Sequence, residues 1–460
     1  MKNNLNIIYI PHLFRLAGLT VFLLLLTAGC KKLVELDVVQ NRTQAELVFS
    51  DASTANAAIN GIYRQSKDNF PAAISFYGGV VSDELTTSSS QPQYEVYLKN
   101  QIPSTDGNNP WTGFYQVIYG CNAAIEGLSK NSVINEMKRN QYIGEAKFNR
   151  AWCYLNLVNL YGDIPLVTTT NVATNSIVSR ASVDAVNQQI SEDLRDAVSK
   201  LQVDYAFNGL GHARANKWAA IALLSRVNLY SKDYKAAEKN ATSVINSGLY
   251  SLLNTPSGIF NKDNSESILQ WENFEGETNV LTTNTSQNPP SLLITDALWT
   301  AFEKNDLRKD TWIGEITISG QTFRYPFKFT DPSGTSIERY TVLRLAEQYL
   351  IRAEALAMQN NFSDAIADIN LIRAKHGGLT VELPVPTSQT ACLDIISHER
   401  RIELFTEGMH RWIDLKRNGE INAVMTLQKP ITWKPTSALY PVPLADLQRN
   451  PNLKQNPGYE

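Results

Sequence analysis
The chain has 460 residues, 43% of them hydrophobic and 19% charged, with a formal net charge of −3. That composition is globular with room for a large core, and the lack of a basic excess excludes a nucleic-acid-binding protein. Four cysteines with no paired or C-x-x-C spacing exclude a disulfide framework.

In chain order, the first signal is a membrane address. Lys2 and Arg15 are the positive flank of an apolar run from Leu16 to Thr27, and Thr27-Ala28-Gly29 supplies the small residues a signal peptidase needs before Cys30. About a dozen apolar residues fall short of the roughly 20 that cross a bilayer. The run predicts a signal peptide over 1–29, similar to a bacterial lipobox, with Cys30 lipidated and 30–44 as a tether. Several acyl chains on Cys30 would hold the mature chain at a membrane. Lys31 and Lys32 suit the headgroups beside such an anchor.

The folded body is expected over 45–460. Asp51 is the predicted N-cap of a helix that turns Ala55, Ile59 and Ile62 inward. The stretch 70–109 loses helical period among Gly, Ser, Gln, Pro and Asn, and reads as a long loop carrying Tyr94 and Tyr97. Pro110 then starts a helix whose Trp111, Phe114, Ile118 and Cys121 form a core stripe. A helix over 135–161 stops at Gly162-Asp163-Ile164-Pro165, and helices over 182–201, 216–231 and 234–247 follow. From 249 to 339 the period is lost again, with strands expected at Ser267–Trp271 and Thr322–Tyr325.

Helix is expected to return over 340–359, with a partner helix N-capped by Ser363 and ended by Gly377-Gly378, where a positive φ is expected at Gly377. The segments RVNLYSKDYKAA from Arg226 and RAEALAMQNNFSDA from Arg352 can be laid side by side, with turns differing by two residues. Each reads as helix, polar turn, aromatic, small residue, helix, like a degenerate tetratricopeptide unit of about 34 residues. A last helical block, Cys392 to Lys416, puts Glu399 and Glu403 on one face, with Arg400 or Arg411 as neutralising partners. Its dense charge reads as structural.

These residues resemble the SusD/RagB family of Bacteroidetes outer-membrane lipoproteins over essentially the whole mature chain. The resemblance rests on Cys30-Lys31-Lys32, Val48-Phe49-Ser50-Asp51, Asn60-Gly61-Ile62-Tyr63, and Gly144 to Ala151 with Leu160 to Val167. It continues in Leu343 to Ala355, Glu399 to Leu404, Arg411 to Arg417 and Asn456-Pro457-Gly458-Tyr459. Asp37-Val38-Val39 departs from the family, in which a proline commonly follows the aspartate. The resemblance implies a mainly α fold of tetratricopeptide-like helix pairs packed with a loop-rich, partly β, substrate-facing half. It further implies a SusC-like TonB-dependent barrel as partner and a captured nutrient as ligand.

No H-E-x-x-H, G-x-S-x-G or Walker pattern occurs, and carboxylate pairs such as Asp83-Glu84 or Asp193 with Asp196 carry no glycosidase spacing in themselves, so no catalysis is expected. The turns Asp106-Gly107-Asn108-Asn109 and Asn261-Lys262-Asp263-Asn264 lack a full Ca²⁺-loop pattern, so neither cofactor nor metal is expected. Aromatic rings outside helical stripes are the candidate sugar-stacking groups: Tyr94, Tyr97, Phe274, Trp312 and Tyr325, with Asn273 and Arg324 as hydrogen-bonding companions. Trp111 and Trp271 are assigned to the core. The expected function is glycan capture at the cell surface and delivery to the transporter; peptide capture and a tetratricopeptide-type structural adaptor are the alternatives.

Overall fold
In the computed structural model, residues 47–88, 92–207, 209–273, 282, 288–331 and 337–459 are described. Cys30, the signal peptide, the whole of the tether and Phe274 lie outside them.

The body begins with α1 (Ala52–Asn69), where the Asp51 carboxylate accepts from Ser53 N at 2.7 Å and Thr54 N at 3.1 Å. The expected long loop is close to half helical. A π-helical turn at Ala73–Tyr77 runs into α2 (Gly78–Val81), strand β1 (Leu85–Thr87) and α3 (Pro92–Leu98). The glycines that suggested loop are a packing requirement: a Cβ on Gly78 would sit 2.7 Å from Met409 Cγ.

α4 (Trp111–Ser129) and α5 (Glu136–Tyr161) follow as expected, with Asn135 capping α5. Buried Arg150 of α5 donates to Asp193 at 2.7 and 2.8 Å and to Asn122 Oδ1 at 2.7 Å, tying α5 both to α4 and to the helix carrying Asp193. The strands β2 (Ile164–Pro165) and β3 (Arg180–Ala181) pair antiparallel and precede that helix, α6 (Val183–Lys200).

α7 (Lys217–Tyr230) with α8 (Tyr234–Ile245), and α11 (Leu345–Met358) with α12 (Phe362–Lys375), are the two repeat-like pairs. Between them in sequence come β4 (Ser267–Trp271), β5 (Leu292–Ile294), α9 (Asp296–Trp299), α10 (Leu307–Trp312), β6 (Ile313–Ile318), β7 (Gln321–Pro326) and β8 (Tyr340–Arg344). The two helical turns have the same length. Lys232 and Asn360 both take positive φ (62° and 64°), and Asp233 and Asn361 are the N-caps, so the two-residue difference disappears and Ser363 is not the cap. Ala237 and Ala365 are fully buried three residues after the aromatic in each pair, letting the helices approach closely.

The expected helix over 340–359 starts five residues late. Tyr340–Arg344 pairs antiparallel with β4, where its aromatic and β-branched residues suit a strand buried between neighbours. At the end of α12 the left-handed glycine is Gly378 (φ +64°) rather than Gly377, and Leu379 N donates to Arg373 O at 3.0 Å. The last block divides into α13 (Gln389–Leu404) and α14 (His410–Arg417), because Thr406, Gly408 and Met409 all take positive φ. α15 (Ile421–Gln428), an extended segment and α16 (Leu444–Arg449) complete the chain.

Candidate functional site
The two loop-rich segments meet. β1 pairs antiparallel with β5, Leu85 opposite Ile294 and Thr87 opposite Leu292, so the segment after α1 and the excursion after α8 share one two-stranded ribbon. The pairing continues beyond it, with Ser88 N donating to Ser291 O at 3.0 Å and Thr295 Oγ1 to Asp83 O at 2.7 Å. A cleft of about 290 Å³ lies against the ribbon, lined among others by Asp83, Thr86, Leu98, Thr295, Lys429 and Ile431.

The rings on these segments divide into open and closed. Tyr94 is half-buried, its ring 5.2 Å from that of Tyr77. Tyr325 is also half-buried, edge-on to Phe327 at 5.8 Å. Arg324 beside it donates to Glu315 at 2.8 Å across the β6–β7 hairpin and lies 4.1 Å from the ring centre of half-buried Trp299, which Lys309 approaches to 3.8 Å. Trp299 was missed in the sequence reading. It satisfies the criterion that selected Trp312, a ring in a segment without helical period, and that signal could have found it.

Tyr97 and Trp312 are corrections to the expected site. Tyr97 is 0% exposed; its hydroxyl donates to the Asp106 carboxylate, and burial pushes its phenol far above the usual range. Trp312 is 1% exposed, its Nε1 donating to Pro256 O at 3.1 Å and its ring facing Lys328 Nζ at 4.4 Å. Neither offers a face for stacking: Tyr97 is covered by Tyr77 and Tyr440, and Trp312 sits where the excursion closes on Phe405. Asn273 is likewise buried, donating to Glu338 O at 2.9 Å. Trp111 and Trp271 are buried, as expected.

Beneath the excursion lies a buried charge cluster that holds it to α13. Arg308 of α10 reaches Asp306 at 2.8 Å, Glu403 at 2.8 Å and, more closely still, Glu399. Arg344 reaches Glu403 at 2.6 Å, Glu407 at 2.8 Å and Glu266 at 3.1 Å, and Lys328 reaches Glu407 at 2.6 Å. His376 Nδ1 lies 2.8 Å from Glu403 and its Nε2 3.0 Å from Glu266. Burial alone would strip the imidazole of its proton, but the two carboxylates outweigh burial and lift it to about 9. Burial wins at Lys328, drawing its amine down to about 8 against the pull of Glu407.

The partners expected for Glu399 and Glu403 are therefore wrong. Arg400 turns to Asp414 at 2.9 Å and Arg411 to Asp83 at 2.7 Å, while cations from distant segments neutralise the glutamates. Glu266, His376 and Glu403 have ligand atoms close enough together to hold a metal ion. The guanidinium of Arg344 and the imidazolium already supply the positive charge there, so the trio fits an ion-pair cluster better than a metal centre. In the two candidate Ca²⁺ turns, Asp106 accepts from Tyr97, and Asp263 accepts from Arg339 Nη1 and His212 N, each at 2.8 Å.

The carboxylate pairs are also committed. Asp83 pairs with Arg401 and Arg411, Asp193 with Arg150, and Asp196 with Lys147 and Lys200. Burial raises Glu84 to about 7, and its Oε2 accepts from Thr406 N at 3.0 Å. The helical scaffold thus presents a ribbon joining its two loop-rich segments, and Asp83, Asp193 and Asp196 are engaged by structural cations.

Comparison with known proteins identifies the family. Residues 36–229 match the family described as SusD-like, "Starch-binding associating with outer membrane", and residues 305–459 match the SusD family. The SusD-like protein P25 of Formosa agariphila is 24% identical, with 95% of this chain and 97% of that protein covered. A SusD homolog from Bacteroides thetaiotaomicron superposes with a TM-score of 0.79 at 19% identity over 90% of this chain and 98% of its own. The surface glycan-binding protein A of Bacteroides fluxus does so with 0.76 at 22% identity over 89% and 100%. The chain belongs to the SusD/RagB family, a family of non-catalytic binding proteins.

Proposed function
We propose that this chain is a cell-surface lipoprotein, anchored through Cys30, that captures oligosaccharide or polysaccharide and delivers it to a TonB-dependent barrel in the outer membrane. The observation that carries the reading is the β1–β5 ribbon, which joins two segments remote in sequence, one carrying half-buried Tyr94 and the other half-buried Trp299 and Tyr325, with Arg324 stacked over the Trp299 ring. Flat rings stack on the apolar faces of sugars while guanidinium and hydroxyl groups bond their edges. The matched description as starch-binding and outer-membrane associating, and the glycan-binding name of one structural neighbour, favour carbohydrate as the ligand.

The test is calorimetry of the mature chain against the glycan that induces its expression. Trp299→Ala and Tyr325→Ala are each expected to weaken binding by about 1–3 kcal/mol without lowering the melting temperature appreciably. Normal binding by both variants, or a wild-type chain that ignores glycans and binds peptides, would overturn the reading. The anchor is tested separately: Cys30→Ala is expected to lose fatty-acid labelling and leave the outer-membrane fraction, and retained labelling would refute it.

A further inference from the structure
A groove of about 930 Å³ that shares no lining residue with the cleft at the ribbon lies at the C-terminal end of α5. Arg180, Lys416, Arg417 and Lys454 line it together with a single carboxylate, Asp163. Arg417 is neutralised within the fold by Asp414 at 2.7 Å and by Glu354. The other three cations form no ion pair with a carboxylate among the described residues.

Their hydrogen bonds go to neutral groups. Arg180 donates to the carbonyl oxygens of Asp163 (2.7 Å), Lys454 (2.9 Å) and Tyr161 (3.0 Å) and to Asn456 Oδ1 (2.6 Å). Lys416 Nζ donates only to the Asn159 carbonyl. Burial, with no acid to oppose it, draws that amine down to about 7. Asp163 itself accepts from Val183 N at 3.1 Å.

The carbonyls at the end of α5 account for the position of these side chains, since cations suit a helix C-terminus. That end carries roughly half a negative charge. Set with Asp163 against the charges of Arg180 and Lys454 and the partly protonated amine of Lys416, it leaves the groove electropositive and open. We propose that this groove is an oxyanion site, taking a sulfate ester or the carboxylate of an acidic sugar. Arg180 is the fixed wall of the site, because four hydrogen bonds hold it. Exposed Lys454 is the group whose charge remains available to a ligand, and Lys416 adds to it in its protonated form.

Selenate diffused into crystals is expected to give an anomalous peak in the groove within hydrogen-bonding reach of Lys416 or Lys454. In solution, calorimetry with inorganic sulfate and with glucuronate is expected to show saturable binding of at least one of them, weakened by about fivefold or more in Lys454→Gln. Lys454 is exposed, so this variant leaves the fold intact; Lys416→Met is the second variant and should weaken the same binding. Sulfate binding alone would assign the site to sulfate esters, and glucuronate binding alone to acidic sugars. Binding of neither anion, a crystal peak without solution binding, or equal binding by both variants would overturn the proposal. The ribbon face plays no part in this experiment, so the two readings stand or fall separately.

Discussion

His376 offers a quantitative test of the charge cluster that holds the excursion to the helical body. Its imidazole is completely buried between Glu266 and Glu403 and titrates at about 9, against an ordinary value of 6.5. A folded-state value above the unfolded one means that the folded chain binds the proton more tightly. The resulting stabilisation is fully present below the unfolded value of 6.5 and is lost as pH rises through the folded value of about 9. At 1.36 kcal/mol per unit the interval corresponds to about 3 kcal/mol. Other groups titrate across the same range: Lys328, depressed by burial to about 8, makes wild-type stability rise with pH above that value. The informative quantity is therefore the difference between the wild type and His376→Gln, measured by urea unfolding at a series of pH values. That difference should be at least about 3 kcal/mol near pH 6, since removing one partner of a buried ion pair is strongly destabilising, and should shrink by about 3 kcal/mol by pH 10. A difference that does not change with pH would show that the imidazole is neutral in the fold.

Two further substitutions test local geometry and packing. Gly378→Ala places a Cβ at φ +64° and 2.7 Å from Leu307 Cδ1, and should cost about 1 kcal/mol or more; an unchanged melting temperature would remove the left-handed stop. Trp312→Ala should destabilise the fold by about 3–5 kcal/mol in chemical unfolding, and a well-folded variant that loses only ligand affinity would return Trp312 to the binding face.

What the sequence by itself determined was local. The helix cap at Asp51, the stripe from Trp111 to Cys121 and the small residues Ala237 and Ala365 are legible because each depends on spacing along one helix or on a single side chain meeting its own backbone. The family motifs are legible for the same reason, as short runs of fixed residues. The tertiary structure decided the rest. Whether Tyr97 and Trp312 are open or closed depends on what covers them, and the cover comes from residues such as Tyr77, Tyr440, Pro256 and Lys328, on other elements of the fold. The partners of Glu399 and Glu403 were misassigned because helical spacing ranks only neighbours, whereas the cations that neutralise them come from Arg308, Arg344 and His376. The strand at Tyr340–Arg344 exists because Ser267–Trp271 lies beside it, and the candidate face exists because Leu85–Thr87 finds Leu292–Ile294. Pairing between segments some seventy or two hundred residues apart leaves no periodic trace in either one, since a strand's hydrogen-bonding partner is set by the closed fold and not by its own residues.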